Sequence, residues 1–217
     1  MELQFALEPL MKSQLFRAAQ QKHTAEWVMG WEQANRYVID AEDARTLFFV
    51  DETGEGALAA LARNFWAFRT IRLDFTTTSG TRVMQLERPW RPFFGRGVVT
   101  AWNGEPMGIL QQRFTFLRRR LDVLTPGGNE LARIIGPVFR PWTFEVEQKG
   151  QRIATIRKKW SGLGREFFTD ADNFGLELHA PIDARLRQLL LAATMLVDLL
   201  WFEQRKGQGG LMGLLNG

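Results

Sequence analysis

Cysteine is absent from the 217 residues, and there are only two histidines, His23 and His179. The missing thiols exclude a disulfide framework, thiol catalysis, cysteine-based zinc sites and S-palmitoyl anchors. The histidines lie far apart, and no nucleophile elbow, phosphate loop or dinucleotide fingerprint occurs. Glu166, Asp170 and Asp172 bring carboxylates together, but no base, acid and electrophile set surrounds them. The chain is therefore read as a non-enzyme. Residues 1–20 hold Glu2 and Glu8 and no continuous apolar stretch, so no secretory signal is expected. Glu2 stands where N-myristoylation needs glycine.

Apolar material is plentiful: 45% of the chain is hydrophobic, with 17 Phe and 8 Trp, enough for a large core. The net charge of +4 favours anionic partners, lipid headgroups or nucleic acid.

The pattern along the chain is mostly that of short strands. A short helix is expected around Leu10–Gln21 in an N-terminal extension, 1–26. β-type runs follow at Trp27–Trp31, Tyr37–Asp40 and Thr46–Asp51, and Gly56–Phe65 reads as a short helix or an irregular excursion. Phe68–Phe75 alternates apolar and polar residues, as a half-buried strand does. Further strands are read at Arg82–Arg88, Val98–Trp102, Met107–Arg113, Thr115–Leu124, Leu131–Ile135, Thr143–Gln148, Arg152–Trp160, Phe167–Thr169 and Phe174–Leu178. Asn103-Gly104 suits a tight type I′ turn. No helices alternate with these strands, so the fold class is mainly β, a closed antiparallel barrel.

The exception is the run Leu189–Phe202, apolar on all sides, within a helix expected over about 183–204. Pro181 and Asp183 suit its N-terminus, and Gly207 its stop, before a flexible glycine-rich tail, 205–217. Such a helix must be wrapped by protein or by lipid. Arg185, Arg187 and Asp198 interrupt the length a bilayer span needs, and alternating strands need something apolar to close around, so a buried helix is the favoured reading.

The segment Thr169-Asp170-Ala171-Asp172-Asn173-Phe174-Gly175, then Ile182-Asp183 and Val197–Glu203, forms a recognisable series. Glu87-Arg88-Pro89, Gly108-Ile109-Leu110-Gln111-Gln112, Gly136-Pro137, Phe144-Glu145-Val146 and Lys159-Trp160-Ser161-Gly162 precede it in order. On these residues the chain resembles the phospholipid scramblase family, which has the tubby-type fold, from about Trp27 to Glu203. The resemblance implies a barrel of about twelve strands over 27–204, closed around the C-terminal helix. It also implies phospholipid movement between leaflets stimulated by calcium, and a cytoplasmic protein peripheral at the inner face of the plasma membrane. The Pro-rich N-terminal region and Cys cluster of animal members are missing, so the chain looks more like a bacterial relative.

Three groups are candidates for chemistry. Asp170, Asp172 and Asp183 could supply calcium with oxygen ligands, Gly175 permitting a sharp turn. Phe174, Leu178 and Pro181 occupy other ligand places without side-chain oxygens, and turn and capping hydrogen bonds are the alternative role for the carboxylates. Arg118, Arg120, Lys158, Lys159, Arg88 and Arg91 are candidates for anionic headgroups, with Trp90, Phe93 and Phe94 suited to an interfacial loop. Ordinary solvated strands are the alternative. Asp198, inside the apolar helix, must be paired or protonated, and is expected to hydrogen-bond a strand or an arginine. The leading function is a scramblase-like protein binding anionic phospholipid; the rival is a soluble regulatory module for nucleic acid or a protein, with the helix purely structural.

Overall fold

The computed structural model describes residues 8–21, 36–53, 70–137, 139–140, 142–158 and 173–202. Among them are twelve antiparallel strands: β1 (Leu15–Gln21), β2 (Arg36–Ala41), β3 (Thr46–Thr53), β4 (Ile71–Thr77), β5 (Arg82–Arg88), β6 (Arg96–Ala101), β7 (Pro106–Arg113), β8 (Arg118–Leu124), β9 (Glu130–Pro137), β10 (Thr143–Gln148), β11 (Gln151–Lys158) and β12 (Asn173–Leu178). Each pairs with its neighbour in sequence, and β12 pairs back onto β1 to close the barrel. Helix α1 (Ala184–Trp201) fills the lumen.

Alternation explains the closure. In β4, Ile71, Leu73 and Phe75 are buried, while Arg72 is exposed and Asp74 half-buried. Strand after strand repeats this, so the sheet offers an apolar inner face and a polar outer one. The outer face is laced with ion pairs, among them Arg17–Asp40 at 2.9 Å, Arg72–Glu87 at 2.9 Å and Arg133–Glu130 at 3.0 Å.

The helix is apolar on every side because every side meets a strand. All residues from Leu186 to Leu200 are buried. Each fully buried leucine contributes roughly 1.5–3 kcal/mol. No helix among the described residues is long and apolar enough to cross a membrane. Glycines let the helix approach the wall. A Cβ on Gly97 would lie 3.0 Å from Leu196 Cδ2, and one on Gly108 would lie 2.9 Å from Leu189 Cδ1. Asp183 caps the helix, its Oδ1 accepting from the Leu186 N–H at 2.8 Å.

Two local expectations are corrected. The helix expected over Leu10–Gln21 is confined to residues 8–12, and β1 begins at Leu15, inside the span expected to be an extension. Phe16 and Ala18 face the core there, and β1 supplies the partner that both β2 and β12 need. The type I′ turn is not at Asn103-Gly104. Of those two residues only Gly104 has positive φ (+81°), and Ala101 pairs with Glu105 across a three-residue loop. The Asn103 side chain accepts from the Glu105 N–H at 3.0 Å, which fixes the wider turn. The I′ pattern falls at Lys149 and Gly150, with φ of 50° and 77°. The runs Trp27–Trp31, Gly56–Phe65 and Phe167–Thr169 lie outside the described residues.

Candidate functional site

The two ends of the barrel differ. At one end α1 begins, the strands are joined by tight turns such as 78–81, 102–105 and 149–150, and Arg185 Nε donates to the Met107 carbonyl at 2.8 Å. At the other end α1 finishes, and the described residues of three connections form a rim: 89–95 between β5 and β6, 114–117 between β7 and β8, and 139, 140 and 142 between β9 and β10.

Eight of the ten exposed large hydrophobic residues that the described chain carries sit on this rim: Trp90, Phe93, Phe94, Phe114, Phe116, Leu117, Phe139 and Trp142. Phe93, Phe116 and Phe139, one from each loop, are 86%, 88% and 82% exposed. The loops are anchored from below. Phe94 meets Phe114 edge-on at 6.2 Å, tying the first loop to the second. Trp142 stacks on Phe202 at 5.5 Å, tying the third loop to the end of the helix. Phe144 stacks on Trp201 at 5.2 Å, and Phe174 meets Phe202 at 5.6 Å. Arg119 covers this aromatic layer, 5.0 Å from the Phe144 ring.

Charge is distributed just as unevenly. On the wall, Arg113 and Arg120 both grip Asp122, at 2.8 and 2.7 Å, and Arg152 pairs with Glu145 at 3.4 Å. The rim segments 89–96, 114–119 and 138–143 carry five arginines (Arg91, Arg96, Arg118, Arg119, Arg140) and no Asp or Glu. Among the described residues, Arg91, Arg96, Arg118 and Arg140 have no carboxylate within ion-pair distance, a condition shared at the opposite end by Lys149, by Arg185, which donates to the Met107 carbonyl, and by the buried Arg187, which donates to three carbonyls.

The expected headgroup residues therefore divide. Arg91 and Arg118 are exposed on the rim. Arg120 is half-buried and engaged by Asp122 and Glu130. Arg88 and Lys158 are buried rather than presented to solvent. Alternation puts Arg88 on the inner face of β5 with Met84 and Leu86, and turns Lys158 inward while leaving Arg157 outside. Lys158 Nζ lies 4.3 Å from the Phe202 ring centre and 3.8 Å from Asp198 Oδ1. Asp198 also accepts from Tyr37 Oη at 3.0 Å. This buried triad joins α1 to β2 and β11. Lys159, Asp170 and Asp172 lie outside the described residues; Asp183, the remaining calcium candidate, is the helix cap. No cluster of three metal-binding side chains occurs among the described residues.

Arg187 was not anticipated as a polar anchor. Its guanidinium is buried and donates to the carbonyls of Ile182 at 3.2 Å, Leu10 at 3.0 Å and Ser13 at 2.6 Å. Burial holds its pKa below the ordinary arginine value.

A family model described as Scramblase matches residues 2–204. Human phospholipid scramblase family member 5 is 26% identical over 212 residues, covering 91% of this chain and 77% of that one. Mouse phospholipid scramblase 1 is 27% identical over 213 residues, covering 91% of this chain and 64% of the mouse protein. A solved Arabidopsis thaliana protein superposes with a TM-score of 0.52 at 16% identity, covering 89% of this chain and 98% of its own. That likeness concerns the fold, a tubby-like barrel. With nearly its whole length matched, the chain belongs to the scramblase family.

Proposed function

We propose that this protein is scramblase-like in action: it binds anionic phospholipid at a membrane surface and moves phospholipid between leaflets. The observation that carries this reading is the contrast between wall arginines such as Arg72, Arg113 and Arg152, matched by carboxylates, and Arg91, Arg96, Arg118 and Arg140 on the rim, which meet none among the described residues. Matched cations add little attraction for a charged surface. An unmatched one is worth about 1 kcal/mol near anionic lipid. Four such residues on one end correspond to about 4 kcal/mol, or roughly a thousandfold in affinity. The names of the relatives support phospholipid as the partner. No nucleotide-binding fingerprint is present, so lipid would move down its own gradient. On this reading the protein works from the inner face of the plasma membrane, where the leaflet is anionic.

Co-sedimentation with vesicles tests the proposal. Purified protein should pellet with anionic and not with neutral vesicles, and added salt should weaken the binding. Parallel tubes with calcium and with chelator report on Asp170 and Asp172: a calcium requirement supports a metal role, and indifference makes that loop structural. Failure to pellet with anionic vesicles at low salt ends the proposal.

A further inference from the structure

Resting on that reading, we infer that the rim does more than lie against headgroups: Phe93, Phe116 and Phe139 enter the boundary between headgroups and acyl chains, so the barrel stands on this end.

Isolated surface hydrophobics are common, but a contiguous apolar patch at one end of a domain marks an interaction site. Here each of the three loops contributes one phenylalanine that is more than four-fifths exposed. The loops do not bury these rings against one another, whereas the aromatic rings beneath them are stacked. The occupant follows from the chemistry beside the rings. A second protein surface would have to offset Arg91, Arg96, Arg118 and Arg140 with its own carboxylates, and among the described wall carboxylates of this chain Glu87, Glu130 and Glu145 are already engaged by arginines. An anionic bilayer supplies phosphates at headgroup level and hydrocarbon a few ångströms below. Aromatic rings partition to that level, and arginine side chains reach back from it. No carboxylate in the three segments must be dehydrated on entry. The short connections spring directly from barrel strands, and all three are tied by the Phe94–Phe114 and Trp142–Phe202 contacts, so little order remains to be gained on insertion.

The absence of cysteine makes the test direct. Phe93→Cys, Phe116→Cys and Phe139→Cys would each carry an environment-sensitive fluorophore, with Ser79→Cys and Asn129→Cys as controls in exposed turns at the opposite end. On anionic vesicles the three rim positions should shift to the blue, and nitroxide lipids should quench them. The controls should not change. Unlabelled protein with Phe93, Phe116 and Phe139 all changed to Ser should bind vesicles at least about tenfold more weakly at high salt. Vesicle binding without a shift at any rim position would overturn insertion and leave lipid binding standing. A shift at Ser79 or Asn129 instead would overturn the orientation. A rim shift in concentrated protein without vesicles would assign the patch to a second copy. Loss of sedimentation in the wild type would fault the underlying reading rather than the insertion.

Discussion

Gly108→Ala asks whether the helix truly occupies the lumen. The new Cβ would lie 2.8 Å from the Leu124 carbonyl oxygen and 2.9 Å from both Leu189 methyl carbons. Comfortable carbon contacts begin near ~3.5 Å. Leu189 can rotate, but the Leu124 carbonyl belongs to β8, beside β7 in the sheet, and can move only with its strand. Overpacking of this kind costs about 1–3 kcal/mol. Removing a flexible glycine from the unfolded chain offsets about 0.4–1 kcal/mol of that. At the middle of both ranges the net loss is about 1.3 kcal/mol, a fall in Tm of about 3–5 °C for a domain of this size. Gly127→Ala, whose Cβ would meet nothing nearer than 3.9 Å, is the control and should be close to neutral. Leu189→Ala alone should cost about 2–5 kcal/mol. Combined with Gly108→Ala it should cost less than the sum, with a coupling of at least about 0.5 kcal/mol. Urea melts of the four proteins measure this. A Gly108→Ala protein as stable as wild type, with additive effects, would mean that Leu189 does not press on β7.

Other substitutions probe the polar anchors. Asp198→Leu removes the carboxylate that both Lys158 Nζ and Tyr37 Oη meet and should destabilise by about 3–5 kcal/mol, part of it restored in the Asp198→Leu, Lys158→Met double variant, read by urea unfolding. Arg187→Met removes the donor to three carbonyls, at about 1–3 kcal/mol for each buried acceptor left without a partner, and should increase proteolysis near residues 8–14 before global unfolding. Asp183→Ala removes the helix cap and should cost about 0.5–2 kcal/mol in a thermal melt, with or without calcium.

Much of the barrel is legible in the sequence where punctuation is strong. Gly80 and Pro89 bracket β5, and its expected span matches the observed Arg82–Arg88. Thr143–Gln148 is likewise ended by the Lys149-Gly150 turn. β1 was hidden because Leu, Arg, Ala and Gln are all good helix formers. Its strand state comes from the slot between β2 and β12, a tertiary demand no local window contains. The site was legible only in part. Trp90, Phe93 and Phe94 stood out beside arginines, but Phe116 and Leu117 read as the start of a strand that begins only at Arg118, and Phe114 fell between two expected strands. Composition does not distinguish an exposed phenylalanine from a buried one. Only closure of the sheet gathers three separate loops at one end. Lys158 misled for the opposite reason: within the run Arg157-Lys158-Lys159 it looks like surface, and the two-residue period of β11 turns it inward.

The most direct test of lipid docking through the rim replaces its unmatched charges. Arg91, Arg96, Arg118 and Arg140, all changed to Gln, should lower binding to anionic vesicles by about a hundred- to a thousandfold at low salt. Arg72→Gln with Arg152→Gln, which removes two wall cations paired to Glu87 and Glu145, should change binding by less than about threefold. Near-wild-type binding by the rim variant, or an equal loss in the wall variant, would contradict the account.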